Sequence, residues 1–264
     1  MISFTTIFST AIFSQALEIL LPFHCLICNR RIRGRNLCYR CLPPRYTPAG
    51  QFRCVRCYSS ALELDTSAIC ALCRLYPPVF EHLRFLWIYD QPARELINIM
   101  KYRPSPALCK TSAAVLGQAI DSLFCIKDWD LVVPVPASRQ SLASRTFNQC
   151  NILASAILKR PGNTSRMHIA RSLLTHNGYK HVQASLEHHR RISNVKGAFN
   201  AGKNLGLEGR KILLVDDVLT TGATSTAAGL ELLRAGAQSV DLVALARAEA
   251  WQEYRYEIHS SFSS

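Results

Sequence analysis

The sequence predicts an α/β fold: a mostly parallel sheet flanked by helices, preceded by a small cysteine-rich module. Three observations lead there. From about residue 80 onward, short β-branched runs alternate with helix-length segments, the pattern of parallel strands joined by helical crossovers. Four C-x-x-C pairs crowd the first third of the chain. Residues 212–224, ILLVDDVLTTGAT, read as a strand ending in two acids, then a hydroxyl-rich turn and the start of a helix.

The gross numbers agree. A chain of 264 residues holds one α/β domain of ordinary size and a small accessory module. With 48% apolar residues it can build a core, which excludes a disordered chain. The formal net charge is +13, from 31 Lys and Arg against 18 Asp and Glu. That excess favours polyanionic partners: nucleic acid, an anionic membrane face or phosphorylated ligands.

Residues 1–21 (MISFTTIFSTAIFSQALEILL) are apolar but rich in hydroxyls, lack a basic signal-peptide start, and are interrupted by Glu18. They read as an N-terminal amphipathic helix that docks on protein or, in the rival reading, on a membrane. No extended transmembrane run follows, so the expected location is cytoplasmic, or peripheral at the inner face of the cell membrane.

Residues 22–78 form the cysteine-rich module. A C-x-x-C pair sets two thiolates on one tight turn, and two pairs complete a tetrahedral Zn²⁺ site. Nine residues separate Cys28 from Cys38, and twelve separate Cys57 from Cys70. The simplest arrangement is two sequential sites: Cys25, Cys28, Cys38 and Cys41, then Cys54, Cys57, Cys70 and Cys73. An interleaved pairing is equally compatible with these spacings. Both sites have four protein ligands and no place for water, which makes them structural. Cys109, Cys125 and Cys150 read as buried small hydrophobes. Between Ile19 and Leu62 there is no acid, while Arg30, Arg31, Arg33, Arg35, Arg40, Arg45, Arg53 and Arg56 all fall in that window. These arginines either offset the thiolate charge or contact phosphates, with Tyr39, Tyr46, Phe52 and Tyr58 available to stack on unpaired bases.

Pro77-Pro78 marks the boundary to the third part, residues 79–264, since proline neither continues a helix nor donates to a ladder. Strands are expected at 85–89, 131–135, 168–174, 211–215 and 240–246, and helices at 92–102, 106–124, 147–158 and 224–235, the last ending at Gly236. Residues 173–197 are polar and without period, and the tail from Trp251 is uninformative.

In VDDVLTTGAT, Asp216 and Asp217 sit at the carboxyl end of a strand, where open α/β sheets bind ligands. Carboxylates there can accept hydrogen bonds from sugar hydroxyls. The turn Thr220, Thr221, Gly222, Ala223, Thr224 offers backbone N–H groups and hydroxyls at a helix N-terminus, a cradle for phosphate. A second glycine-containing stretch, GAFNAGKN at 197–204, approximates a Walker A loop but ends in Asn204 where Mg²⁺ binding needs a hydroxyl, and precedes a strand instead of following one.

These residues resemble a known family. VDDVLTTGAT resembles the phosphoribosyl-pyrophosphate (PRPP) motif of type I phosphoribosyltransferases. VPVPASRQSLASRTFNQ at 133–149 and RRISNVKGAF at 190–199 resemble signatures of the competence protein F (ComF/ComFC) family, and the cysteine pairs resemble its double zinc ribbon. The resemblance implies that Asp216 and Asp217 bind the ribose of PRPP and that Thr220, Thr221, Gly222, Ala223 and Thr224 hold its 5′-phosphate. It places the 134–145 loop near pyrophosphate, with Arg139 and Arg145 as contacts, and brings Mg²⁺ in with PRPP. It makes 173–197 a mobile loop whose working residues are Lys180, Gln183, Arg190, Arg191 and Asn194. Thr146 stands where the family usually has glycine, and His176 and Asn177 where it is often more basic.

The implied role is a competence factor for natural transformation that handles incoming single-stranded DNA in the cytoplasm. Its partners would be PRPP, single-stranded DNA, through Arg30, Arg31, Arg33 and Arg35, and other DNA-uptake proteins. The alternative is an active phosphoribosyltransferase of nucleotide metabolism or salvage, which would need an acceptor pocket, and 80–124 contains no recognisable one.

Overall fold

In the computed structural model the residues described are 23–32, 36–43, 45, 52–61, 63–102, 105–124, 128–145, 147–161, 163, 166–178, 195, 197–202 and 206–262. The expected N-terminal helix, Arg33, Arg35, Tyr46, Cys125, Thr146 and the five mobile-loop residues Lys180, Gln183, Arg190, Arg191 and Asn194 lie outside them.

The cysteine-rich part begins with a short antiparallel pair, β1 (Phe23–His24) and β2 (Arg31–Ile32), which closes the turn carrying Cys25 and Cys28. It ends in helix α1 (Ala71–Leu75), which carries Cys73. The α/β part follows. Its sheet is built from β3 (Leu83–Ile88), β4 (Leu131–Pro134), β5 (His168–Ile169), β8 (Lys211–Leu219) and β9 (Ser239–Arg247), in the order β3-β9-β8-β4-β5, and every pair is parallel. Strand β9 is buried along its whole length, as expected of a parallel strand covered on both faces. A separate antiparallel pair joins β6 (Leu174–His176) to β7 (Phe199–Ala201).

Helix α2 (Ala93–Tyr102) buries Leu96, Ile97 and Met100. Helix α3 (Pro106–Leu123) starts with Pro106 at its first turn, and the Ser105 hydroxyl caps it by accepting from the Leu108 N–H. Helix α5 (Gln149–Leu158) is capped by Asn148, whose Oδ1 accepts from the Cys150 N–H at 3.0 Å. Helix α6 (Ala223–Arg234) starts from Gly222. Helices α3 and α5 cross closely, because a Cβ at Gly117 would sit 2.7 Å from the Ala156 carbonyl oxygen.

The structure corrects several expectations. The first strand is Leu83–Ile88, not 85–89. The single strand expected at 168–174 is two, one in each sheet, separated by a turn at Ala170–Leu173. Strand β8 does not stop at Val215. Its ladder to β9 continues through Asp216↔Ala244 to Leu219↔Arg247, so the acids lie within the strand. The 134–145 loop contains a helix, α4 (Arg139–Arg145), begun by Ser138, whose Oγ accepts from the Ser141 N–H. The tail is ordered as a short 3₁₀ turn (Glu249–Gln252) and helix α7 (Arg255–Phe262). In the Walker-like stretch, Phe199–Ala201 is strand β7 and not a phosphate loop. Among the described residues no helix is long and apolar enough to cross a membrane.

The cysteine module covers the outer edge of the sheet. Strand β3 is an edge strand, and its Leu83 N–H donates to the Arg56 carbonyl at 2.7 Å. The first cluster leans elsewhere, with Asn36 Nδ2 donating to Thr111 Oγ1 on α3 at 2.7 Å.

Gly117→Val should lower stability by about 2 kcal/mol, because the added carbons meet backbone that cannot move aside. Thermal unfolding should show a midpoint about 5 °C lower. An unchanged midpoint would contradict the close α3–α5 crossing.

Candidate functional site

The site forms where β8 and β4 end. Register sets Pro134 beside Val215 and carries β8 four residues further, to Leu219, so Asp216 and Asp217 lie just past the carboxyl end of β4. A cavity of about 290 Å³ opens there. Asp216, Asp217, Thr220 and Thr224 line it from the β8–α6 segment, Arg145, Ser138 and Ser141 from the β4–α4 segment, and Lys101 and Tyr89 from across the sheet. It thus collects four residues of the expected PRPP set and one of the two expected pyrophosphate contacts. Arg139 does not line it, because the first turn of α4 turns that side chain out to solvent.

Asp216 is 6% exposed. Its Oδ2 accepts from Ser225 Oγ at 2.5 Å, and its Oδ1 accepts from the Asp217 N–H at 2.8 Å, with Cys150 Sγ also directed at Oδ1 from 3.9 Å. Burial raises its pKa to about 6, and the neighbouring Asp217 charge adds to the effect, while the Ser225 hydroxyl and Lys101 oppose it. Asp217 pairs with Lys101, Oδ2 to Nζ 3.1 Å. Burial works against the Lys101 charge, but the Asp217 carboxylate outweighs it and the lysine pKa is raised. Burial also pushes the Cys150 thiol well above its ordinary value and Cys109 up to about 12, so both are neutral thiols and not nucleophiles.

Lys101 is the residue that sequence reading missed. It is far from the motif along the chain and sits on an ordinary amphipathic helix. The signal available was Gln149: its Nε2 donates to the Met100 carbonyl at 3.2 Å and so fixes the end of α2 that presents Lys101. Asn148 caps α5 and donates from Nδ2 to the Val135 carbonyl at 2.9 Å, which ties that helix to the end of β4. Asn148 and Gln149 therefore build the site wall.

The turn 220–224 is shaped for an anion. Gly222 has φ +84°, a left-handed conformation that strains any side chain, and a Cβ there would lie 2.6 Å from Trp251 Nε1. The turn feeds the N-terminus of the twelve-residue helix α6, where free N–H groups and the helix dipole favour negative charge. Thr221 is 4% exposed and its Oγ1 accepts from the Ala223 N–H at 3.3 Å, so its hydroxyl braces the turn from within. Thr220 and Thr224 are the hydroxyls facing the cavity.

The cysteines resolve into the two sequential sets, and the interleaved pairing is not formed. In each set the four sulfurs lie within 4.8 Å of one another. The Cys28–Cys38 and Cys57–Cys70 sulfurs are 3.7 and 3.8 Å apart. Tetrahedral zinc with Zn–S bonds of about 2.3 Å requires sulfurs about 3.8 Å apart, so both sets can hold it. Backbone N–H groups of Cys38 and Cys70 point at Cys25 Sγ and Cys54 Sγ, each from 3.4 Å, as expected for thiolate ligands.

Of the four arginines expected to meet DNA, Arg30 and Arg31 are described and both are exposed. Tyr39 and Phe52 are exposed beside this module, and the Arg40 guanidinium lies over the Tyr39 ring. Tyr58 is not available for stacking. It is buried against Phe85, with Arg53 and Arg84 each 5.1 Å from its ring centre.

Comparison with known proteins agrees with this geometry. Residues 151–261 match the family described as phosphoribosyl transferase domain. The chain is 27% identical over 232 residues to the DNA utilization protein YhgH of Salmonella typhimurium, covering 84% of this chain and 89% of that one. It is 25% identical over 233 residues to Competence protein F of Haemophilus influenzae, covering 86% and 97%. It is 26% identical over 246 residues to Competence protein ComFC of Streptococcus pneumoniae, covering 88% and 97%. The chain is a homologue of proteins bearing these names. Its fold is that of a type I phosphoribosyltransferase, with two cysteine clusters ahead of it.

Asp216→Asn should stabilise the protein at neutral pH. The folded-state pKa of Asp216, about 6, lies above the ordinary carboxylate value, so the native state binds this proton more tightly than the unfolded chain does. The stability it contributes is full at low pH and is lost as pH rises from about 4 to 6. Asparagine keeps the bond from the Asp217 N–H and, without the charge, turns the Ser225 contact round so that its amide donates to the hydroxyl. Denaturant unfolding should therefore show the variant about 2 kcal/mol more stable than wild type at pH 8, with the gap closing toward pH 4. A gap that does not change with pH would refute this titration.

Proposed function

We propose that this protein is a competence factor that binds PRPP with Mg²⁺ in the 290 Å³ cavity and handles incoming single-stranded DNA in the cytoplasm. The observation that carries the PRPP reading is convergence in one cavity. Two carboxylates able to accept from ribose hydroxyls stand beside a glycine turn at a helix N-terminus, and two cations, Lys101 and Arg145, line the same cavity. Asp216 and Asp217 would take the ribose. The backbone of 221–223 with the Thr220 and Thr224 hydroxyls would take the 5′-phosphate. Arg145 and Lys101 would face pyrophosphate, and Mg²⁺ would arrive with the ligand and offset its phosphate charge. The mobile-loop roles of Lys180, Gln183, Arg190, Arg191 and Asn194 belong to the same reading.

The competence role is supported by the names of the homologues and by the phosphoribosyl transferase domain. The DNA-handling part is supported by the net charge of +13 and by exposed Arg30 and Arg31 on a module whose clusters can each hold zinc. In this reading 1–21 is an N-terminal helix, 22–78 the double zinc ribbon and 79–264 the ligand-binding unit.

PRPP with Mg²⁺ should raise the thermal midpoint of the purified protein, since a ligand bound only by the native state stabilises it. The double variant Asp216→Ala/Asp217→Ala should abolish that rise, and an unchanged response would sink the assignment. Elemental analysis should find two zinc ions per chain, one for each cysteine set. Single-stranded oligonucleotides should be retained in a salt-sensitive way, and neutralising Arg30, Arg31, Arg33 and Arg35 should weaken retention and flatten its salt dependence. Steady pyrophosphate release with any nucleobase would replace the binding reading with a catalytic one.

A further inference from the structure

Two buried arginines and one tryptophan connect the second cysteine set to the phosphate turn. Gly222 rests against the Trp251 indole so closely that no side chain fits between them. Trp251 is 3% exposed, and the guanidinium groups of Arg247 and Arg255 lie 5.2 and 4.7 Å from its ring centre. Each arginine also reaches the cysteines. Arg247 Nη1 donates to the Cys57 carbonyl at 3.2 Å and to Ser59 Oγ at 2.6 Å. Arg255 Nη1 and Nη2 point at Cys73 Sγ from 3.6 and 3.7 Å, and Nη2 also donates to the Tyr76 carbonyl.

Both arginines are only 4% exposed, and burying a guanidinium requires a counter-charge. Zn²⁺ bound by four thiolates carries a net charge of −2, the complement of two guanidinium groups. Without the metal nothing draws the four sulfurs to one centre, and the Cys73 sulfur that Arg255 reaches and the Cys57 backbone that Arg247 reaches lose their fixed positions. Arg255 is then held only by the Tyr76 carbonyl, Arg247 moves with the Cys57 backbone, and the indole that both guanidinium groups face loses part of its support under Gly222.

We propose that the second zinc site sets the conformation of the phosphate turn, with Arg247, Arg255 and Trp251 as positioning residues. PRPP affinity therefore depends on metal at Cys54, Cys57, Cys70 and Cys73. Metal at Cys25, Cys28, Cys38 and Cys41 does not share this influence, because that set is tied to α3 through Asn36 and Thr111 instead. The inference rests on the reading of 216–224 as the PRPP site.

The test uses the full chain labelled with 5-fluorotryptophan, with the Trp251 fluorine resonance assigned from Trp251→Phe. Zinc content and PRPP–Mg²⁺ affinity by calorimetry are measured on wild type, Cys28→Ser, Cys70→Ser and Arg255→Lys. Each cysteine variant should lose one zinc. Cys28→Ser should keep PRPP affinity within about twofold and leave the Trp251 resonance in place. Cys70→Ser should weaken PRPP by about tenfold or more and move that resonance. Arg255→Lys should keep both zinc ions and still weaken PRPP about tenfold, because a lysine cannot both stack on the indole and fork onto the sulfur. Equal losses of affinity in the two cysteine variants, or an unmoved Trp251 resonance in Cys70→Ser, would overturn the coupling. Should Cys70→Ser prove insoluble, Arg255→Lys decides: wild-type affinity and resonance in it would overturn the proposal. Should wild type itself bind no PRPP, the reading of the turn fails, and the Trp251 resonance alone then decides whether zinc and turn are coupled.

Discussion

Two carboxylates on consecutive residues of one strand, at the mouth of a dry sheet, repel one another, and the surrounding elements are arranged to answer that charge. Asp216 is met by the Ser225 hydroxyl from α6, and burial raises its pKa to about 6. Asp217 is matched by Lys101 from α2. Helix α2 is in turn held by Gln149 at the head of α5, and α5 is held to β4 by Asn148. Four separate elements thus converge on one pair of oxygen-bearing groups. A polyhydroxylated ligand entering this cavity finds acceptors already oriented and a cation already in place, which is the preorganisation that makes binding economical in entropy.

Much of this was legible in the sequence, for physical reasons that also explain what was missed. The strands of the parallel sheet announced themselves because burial on both faces demands unbroken apolar runs, as in LVV of β4 and ILLV of β8. The two cysteine clusters were legible because chelation imposes a short, fixed spacing. The glycine turn at the head of α6 was legible because its residues are contiguous. The end of β8 was misread because acids look like strand terminators, whereas the ladder to β9 keeps the chain extended through Leu219. Helix α4 was read as loop because the prolines before it dominate the local pattern, although Ser138 supplies a cap. Lys101 and Tyr89 are brought to the cavity by topology alone, and no local pattern marks them. The tail was opaque for a stronger reason. Its role depends on burying Arg255, and an arginine in a short polar segment reads as solvent-facing.

The two parts of the chain are also less separable than their compositions suggest. The second cysteine set shares hydrogen bonds with β3, with the end of β9 through Arg247, and with α7 through Arg255. Its buried cysteines count among the core residues of the whole molecule. The first set is half outside that core, with Cys28 exposed, and touches the α/β part through a polar contact on α3. One ribbon is thus part of the scaffold and the other is presented outward, beside the exposed arginines.

Strand β3 has a further consequence. Its sequence, LRFLWI, is almost entirely buried, and it lies at the border of the sheet. Apolar six-residue strands with an open border are the segments that recruit other chains into intermolecular sheets. Here the cysteine knuckle occupies that border through Arg56. Displacing that knuckle would uncover the border, so the packing of the cysteine module bears on the solubility of the whole chain.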